Sequence, residues 1–327
     1  NIITFPTNEP TMVTTCGPNG KIIGPVVHTT EPTVNVNVDA NTSGANIADI
    51  EAVFGAIEPS IDFDVIFEPT KAPSKKYAIN GTTGEYLDTV GTTFNCASHP
   101  SYFRGIQSCM IEEMSSSDLE DVICNYRTAR NNAWAMMDIT FPNSKVTVRT
   151  PKHESEICLR EIALHGIDGS CSNQVFFGGI DFFCTNGQIS GDWDKVRRKN
   201  TSGFVLERFI DELRVAKVAF YKHGERLQGW ADTRTGTHEV QQMLTSLLTS
   251  KSKAEKMLDL YHAEVAVRGA NKYALYSAFT NYATYADDRN GFGLRSTGND
   301  TANVTMWNRE NEVSKWISSP QFLQLAA

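Results

Sequence analysis

Short runs in which apolar and polar residues alternate dominate the first half of the chain, a pattern typical of strands that bury one face. One run extends from Ile61 to Phe67, and two others flank a turn at residues 81–84. Glycines in that turn supply the positive φ angles that tight loops need, so residues 76–80 and 86–94 are predicted to form a hairpin. This region is therefore predicted to be antiparallel sheet.

Two further hairpins follow from the same reasoning. They are predicted over residues 133–150, with a turn at Pro142-Asn143, and over residues 157–184, with a turn at Asp168-Gly169. Apolar residues spaced by three or four predict short helices around these strands. These helices cover residues 47–57, 102–114 and 119–126, the last with an N-cap supplied by Ser115–Asp118.

The period of the apolar residues changes from two to 3.6 after Thr201, where Ser202 is placed to cap a helix. The stripe on this helix consists of Leu206, Phe209, Ile210, Leu213, Ala216 and Phe220. More helices are predicted at residues 237–249, 252–267, 272–286 and 304–317. Strands that precede helices in this way indicate an α+β fold, with antiparallel β-sheet hairpins in the first half and a helical C-terminal half.

Composition divides the chain of 327 residues into three predicted regions. The net charge is −8, and the first 68 residues hold nine acidic residues against one basic residue. We predict an acidic N-terminal arm over 1–44, which is flexible or docks on a neighbouring subunit. An α+β core domain is predicted over 45–230, and a helical C-terminal region packed on that core over 231–327.

A basic segment follows the last predicted strand, with nine basic and four acidic residues between 195 and 228. We predict that its first part is a loop between sheet and helix that binds phosphates, aided by Asn200, Thr201, Ser202 and the helix N-terminus. The predicted nucleic-acid-binding residues are Lys195, Arg197, Arg198, Lys199, Arg208, Arg214 and Lys217. The alternative is an exposed loop and a solvated helix face whose charge serves solubility.

Several classes of site are not supported by the sequence. The gaps between Cys158, Cys171 and Cys184 lack the short Cys-x-x-Cys pair of a zinc site, even with His165 nearby. Neither a phosphate-binding Gly-x-x-x-x-Gly-Lys-Ser/Thr motif nor Gly-x-Ser-x-Gly occurs. We therefore expect no cofactor, no metal and no enzymatic activity. Aromatic residues recur at every third position from Tyr273 to Tyr285, and because such spacing winds around a helix, packing is the preferred interpretation over base stacking.

The seven cysteines form no close pairs, and no apolar run has the length of a membrane span or a secretory signal. We expect free thiols in the reducing cytoplasm of a host cell, and no membrane association.

Several segments together resemble the phage- and plasmid-encoded family known as domain of unknown function 932. They are Tyr77–Gly91 with its Thr-Gly-Glu turn, His165–Ser170 followed by Cys184–Gly187, Asn281–Tyr285, Trp307–Glu310 and Ser318–Pro320. The resemblance implies a bacteriophage or mobile-element origin and a setting in DNA metabolism. The general plan of hairpins before a long helix is also similar to phage single-strand annealing proteins, which is an analogy of fold alone.

The expected function is that of a phage-encoded protein of recombination or replication that binds and anneals single-stranded DNA without ATP. We expect it to act as a homo-oligomer, in a ring or a filament. The alternative is a phage protein-interaction module that binds a host or phage partner protein, which the net negative charge would suit. An enzyme acting on nucleotides is a third hypothesis, favoured only by a bound metal or nucleotide.

Overall fold

Two antiparallel sheets and a set of helices make up the structure, a computed structural model that describes residues 45–181, 186–189, 195–200, 217–286 and 299–325. The smaller sheet has the order β1-β2-β3, with β1 Val65–Pro69, β2 Lys75–Asn80 and β3 Tyr86–Gly91. The larger sheet contains β4 Ile123–Ala129, β5 Trp134–Arg149, β6 Glu154–Gly166, β7 Asn173–Asp181, β8 Asn186–Ile189 and β9 Lys195–Arg198. Strands β4 to β7 follow one another, and β8 and β9 share the remaining edge of β7.

The helices lie mainly in the second half, which confirms the predicted α+β fold. In chain order they are α1 Ile47–Phe54, α2 His99–Glu113, α3 Lys217–Asp232, α4 Thr237–Leu247, α5 Lys251–Arg268, α6 Lys272–Tyr285, α7 Asn299–Ile317 and α8 Pro320–Leu323. Helix α2 begins where Ser98 accepts a hydrogen bond from the amide of Ser101, with Pro100 in the first turn. Among the described residues, no helix is long and apolar enough to cross a membrane.

Helices cover both faces of the larger sheet. Helices α1 and α2 pack on one face, which we call the α2 face, through a core that includes Phe103, Ile106, Met137 and Ala163. Helix α7 packs on the opposite face, the α7 face, where Trp307 contacts a smaller apolar cluster. The helical half has its own core, which joins the sheet at Val148 and Ile157. The tyrosines Tyr273, Tyr276 and Tyr282 are buried in that core, as the packing interpretation predicted.

Three local predictions are wrong. The helix predicted at 119–126 is absent: residues 119–121 form a turn, and β4 begins at Ile123 and pairs with β5 along its whole length. Ser115–Asp118 forms a turn instead of a cap, in which Asp118 accepts hydrogen bonds from Ser115 and Ser144. Lys195–Arg198, predicted to be a loop, is strand β9, paired antiparallel with Asn173–Phe176 of β7.

The hairpin predicted at Pro142-Asn143 is also absent, because β5 runs through these residues as one strand. Its pairing with β6 is regular up to Phe141 and resumes at Lys145. Residues 142–144 form a bulge, a place where a strand tolerates a proline. The side chains of Asn143 and Ser144 hold this bulge against residues 118–120 at 3.2 and 2.8 Å.

Candidate nucleic-acid interface

The turn between β4 and β5 adopts an unusual backbone conformation. Arg130, Asn131 and Asn132 have φ angles of 55°, 55° and 61°, so three successive residues lie in the left-handed region. Asparagine tolerates this region, whereas an arginine there costs about 1–2 kcal/mol. Such a conformation persists only where surrounding contacts enforce it, and it is a feature of functional sites.

Contacts from three parts of the chain hold this turn. Asn131 donates its side-chain amide to Glu85 at 2.7 Å, and the Arg130 guanidinium lies 3.3 Å from the Asp168 carboxylate. The Nε2 of His99 lies 2.9 Å from the carbonyl oxygen of Asn132, which lacks a proton, so Nε2 is the donor. The position of Arg130 is therefore fixed by contacts with the smaller sheet, the β6–β7 connection and α2.

A polar cleft of about 370 Å³ opens beside this turn, between β7, β9 and α7. We call it the cationic cleft, because the described residues of its lining include three cations and no acidic residue. The lining residues are Arg130, Trp134, Ser170, Cys171, Ser172, Gln174, Arg197, Val304, Trp307, Asn308, Asn311 and Lys315. Its volume is within the range of about 300–1,000 Å³ that is usual for ligand sites.

Strand β9 contributes Arg197, which is one of the residues predicted from the sequence. Its Nε donates to the hydroxyl of Ser172 at 2.7 Å, and this contact holds the guanidinium at the cleft. Successive side chains of a strand point to opposite faces, so the neighbouring Arg198 faces away from Arg197. Arg198 and Lys199 are both exposed.

Of the other predicted cations, neither Arg198 nor Lys199 is among the described residues that line this cleft. Lys195 begins β9 and Lys217 begins α3, whereas Arg208 and Arg214 lie outside the described residues, as does the apolar stripe predicted at 206–216. Asn200, which was expected to contact phosphate, is buried and donates to the carbonyl of Gly166 at 2.7 Å. Its role is therefore to fix the chain after β9.

Helix α7 contributes a polar face to the cleft. Val304, Asn308, Asn311 and Lys315 are spaced by four, three and four residues, which places them on one side of the helix. Lys315 is exposed, and neither Asn308 nor Asn311 has a hydrogen-bond partner among the described residues. Their amide groups are available to a ligand.

The floor of the cleft is aromatic and closed. Trp134 and Trp307 are only 2% and 8% exposed, and the ring of Trp307 packs against Phe176 with centroids 4.5 Å apart. Burial, reinforced by Asp168, raises the pKa of the Cys171 thiol to about 12. This thiol is therefore neutral at physiological pH and a poor nucleophile.

A buried ion-pair network anchors α7 to the sheet beneath the cleft. Arg160 of β6 lies 2.6 Å from Asp138 and 3.3 Å from Glu310 of α7. Burial alone would lower the pKa of Arg160, but the attraction of the two carboxylates outweighs it and raises that pKa. The adjacent Arg309 donates to the carbonyl of Ala283 on α6 at 3.2 Å.

The α2 face carries polar residues of a different kind. Glu161 is fully buried and neither of its oxygens has a partner among the described residues, so burial raises its pKa to about 8. His99 and His165 face each other with Nδ1 atoms 2.8 Å apart. Burial lowers the pKa of His99 to about 4 and that of His165 well below its usual value. These groups are uncharged at neutral pH.

The described residues contain no group of three or more metal-ligating side chains close enough to hold a metal ion. Cys158 and His165 belong to β6, Cys171 lines the cleft, and Cys184 lies outside the described residues.

Segments that carry the family resemblance meet at the cleft. Glu85 of the Thr-Gly-Glu turn contacts Asn131, Asp168 contacts Arg130, and Trp307 and Asn308 line the cleft. Sequence reasoning missed Arg130, Asn308, Asn311 and Lys315 as site residues. The motif Trp307-Asn308-Arg309-Glu310 was the signal that the sequence offered. Trp307 forms the floor of the cleft, Asn308 lines it, Arg309 contacts α6 and Glu310 belongs to the buried network.

Comparisons with known proteins give one match. Neither the curated proteins nor the solved structures that were compared include a protein similar to this chain. Residues 116–321 match the family described as Domain of unknown function (DUF932). These residues include β4 to β9, helices α3 to α7 and all the described residues that line the cleft. Because this match covers more than half of the chain, the chain belongs to the DUF932 family.

Proposed function

We propose that the protein binds single-stranded DNA in the cationic cleft, and that this binding serves ATP-independent strand annealing in phage recombination or replication. The observation that carries the proposal is the convergence of Arg130, Arg197 and Lys315, from three separate elements, on one cleft whose described lining residues include no acid. In a chain with a net charge of −8, such a concentration of positive charge favours a polyanionic ligand.

The chemistry of the lining suits a nucleic-acid strand. Guanidinium groups bind phosphate oxygens with two parallel hydrogen bonds, and an ammonium group binds them as a point charge. The hydroxyls of Ser170 and Ser172 and the amide of Gln174 can complete contacts to phosphate and sugar.

Binding through three cations has a defined dependence on salt. Each neutralised phosphate of a single strand contributes about −0.7 to the slope of log affinity against log salt concentration, so three contacts predict a slope of about −2.

The test compares the wild type with the double variant Arg197→Ala/Lys315→Ala, by fluorescence anisotropy of a labelled single-stranded oligonucleotide at about 50 and 200 mM salt. We expect at least tenfold weaker binding at low salt and a slope that is smaller by about 1.4. The control is Lys71→Ala, which removes an exposed positive charge away from the cleft and should keep wild-type affinity. The proposal fails if the double variant binds with unchanged affinity and slope while its circular dichroism is native.

A second candidate function, a protein-interaction module, is favoured by the outer face of the smaller sheet. Ile66, Tyr77 and Tyr86 are 49%, 39% and 53% exposed, and the two tyrosine rings pack against each other with centroids 5.9 Å apart. Adjacent exposed apolar side chains of this kind mark interaction surfaces. If the wild type binds no oligonucleotide and Tyr77→Ser/Tyr86→Ser abolishes co-purification of a partner protein, this function replaces the first.

A further inference from the structure

The cationic cleft contains more than a phosphate site requires. Asn308 and Asn311 place two carboxamides on the same face of α7 as Lys315, and neither has a hydrogen-bond partner among the described residues. Contacts to phosphates position a nucleic acid but carry no information about its sequence. Two available carboxamides beside three cations are suited to the polar edge of a base.

Stacking is not the means by which this cleft would hold a base. Base stacking requires an exposed aromatic face, and the two indoles of the cleft floor are only 2% and 8% exposed. Trp307 already packs against Phe176. Recognition must therefore come from hydrogen bonds to base edges, which only an unpaired or accessible base can offer.

The dimensions of the cleft fit one nucleotide. A volume of about 370 Å³ is near the lower limit for ligand sites. Asn308 and Lys315 are seven residues apart, which corresponds to roughly 10 Å along the helix axis. A phosphate near Lys315 and Arg197 would thus leave its own base beside the carboxamides of α7.

We infer that each chain holds one unpaired nucleotide in the cationic cleft and reads its base through Asn308 and Asn311, with a preference for adenine. The preference concerns the Hoogsteen edge of the base, where only adenine offers a donor, its N6 amino group, beside an acceptor, N7, so that one carboxamide makes two hydrogen bonds with it. This inference rests on the proposed binding of single-stranded DNA. It goes beyond that proposal, because binding of the backbone alone would be indifferent to sequence.

The test uses thymidine oligonucleotides of equal length that carry a single central adenine, cytosine or guanine, or none, and measures affinity by fluorescence anisotropy. We expect the strand with adenine to bind about tenfold more tightly than the strand of thymidines alone. In the variant Asn308→Ala/Asn311→Ala this difference disappears, while the affinity for the thymidine strand stays within about twofold of wild type. Alanine at these helical positions favours folding, because it has a higher helix propensity than asparagine.

Two further variants separate base reading from charge. Lys315→Ala weakens binding to all four strands by the same factor, because its ammonium group contacts phosphate. Asn308→Asp/Asn311→Asp weakens the preference for adenine, because a carboxylate has no proton to donate to N7. Gln241→Ala, which changes an exposed amide on α4, serves as the control and keeps the preference for adenine.

The outcomes distinguish this inference from the proposed function. If the wild type binds none of the strands, the proposed function itself fails. If it binds all four strands with equal affinity, DNA binding stands and base reading in the cleft is refuted. Base reading by Asn308 and Asn311 is also refuted if the double alanine variant keeps the preference for adenine.

Discussion

The two faces of the larger sheet both bury ionisable side chains, but they treat charge in opposite ways. On the α7 face, Arg160 is surrounded by Asp138 and Glu310, and the attraction within this network raises the pKa of the arginine. On the α2 face, burial raises the pKa of Glu161 to about 8 and lowers that of His99 to about 4. The α7 face pairs its buried arginine with carboxyl groups, even though burial raises the pKa of Glu310, whereas the buried groups of the α2 face have no partner of opposite charge among the described residues.

The cationic cleft lies on the α7 face. A ligand that is held by charge needs charged groups at the surface, and Arg130, Arg197 and Lys315 supply them there. The α2 face is a support, since its neutral polar groups position the strained turn through the contact of His99 with Asn132. The turn at Arg130 is therefore linked to both faces. His99 of the α2 face contacts its backbone, and the side chain of Arg130 lines the cleft on the α7 face.

The largest expected effect comes from breaking the network of the α7 face. Arg160→Met leaves Asp138 and Glu310 buried without a cation and should lower the free energy of unfolding by roughly 3–5 kcal/mol. The matched control is Arg149→Ala, which removes an ion pair with 71% and 56% exposed side chains and should cost about 1 kcal/mol or less. Chemical denaturation measures both. Equal effects of the two variants would mean that the buried network does not anchor α7.

The next effect concerns the buried carboxyl group of the α2 face. The folded pKa of Glu161 is about 8 against an ordinary 4.5, so between these values the folded protein holds a proton that the unfolded chain has lost. The free energy of unfolding should therefore fall as pH rises through this window, by up to about 1.4 kcal/mol per pH unit from this group.

Glu161→Gln removes this titration. We expect a flatter dependence of stability on pH between 4.5 and 8 and a more stable protein at the upper end of that window. Urea denaturation at several pH values measures the slope, and Glu58→Gln, at an exposed position, should keep the wild-type slope. A wild-type slope in Glu161→Gln would show that this carboxyl group is ionised in the folded protein.

The sequence predicts an element well when nearby residues determine it, and poorly when contacts with residues far along the chain determine it. The hairpin of β2 and β3 and the helices α4 to α7 were predictable because their turns, caps and apolar spacing are local. Strand β4 was not, since residues 119–126 also fit a helix and only pairing with β5 decides between them. In the sequence, nothing distinguishes Glu161 from an exposed polar residue within an apolar run. Its side chain is buried because α2 packs on that face of the sheet.

The cleft was predictable only in part for the same reason. Arg197 belongs to a basic segment that is visible in the sequence, but Arg130 and Lys315 are isolated cations that are far apart along the chain. The contact of Arg127 with Met306, 179 residues away, shows that folding brings β4 next to α7. Local patterns carry no signal for that proximity.

A smaller effect is expected from the ion pair at the rim of the cleft. Asp168 competes with a bound phosphate for Arg130, so Asp168→Asn should tighten binding of single-stranded DNA a few fold, which corresponds to about 1 kcal/mol. Asparagine keeps the Oδ1 that accepts from the amide of Ser170, so the turn is preserved. Asp62→Asn removes an exposed charge elsewhere and should change affinity little. Weaker binding in Asp168→Asn would show that the pair orients Arg130 rather than competing for it.

The smallest effect is expected at the strained turn itself. Asn132→Gly relieves a left-handed conformation and keeps the carbonyl that accepts from His99, so stability should rise by a few tenths of a kcal/mol, offset in part by the greater freedom of glycine in the unfolded chain. The thermal midpoint of unfolding measures this change, with Asn131→Gly as a comparison that also removes the hydrogen bond to Glu85. A less stable Asn132→Gly would mean that its side chain, rather than its backbone, supports the turn.

The bulge at residues 142–144 has a consequence for how the two halves of the chain are joined. Before it, the odd-numbered residues of β5 point to the α2 face, and after it Val146 and Val148 do so, because Phe141 pairs with Leu159 while Lys145 pairs with Cys158. Helix α3 approaches this second part closely, with Gly224 directly against Val146. The bulge thus reverses the parity of the strand. Deleting one residue there would make the spacing from Phe141 to Val146 even, so strict alternation would keep both valines on the α2 face, whereas loss of two residues without a bulge would turn both valines to the opposite face and detach the helical half.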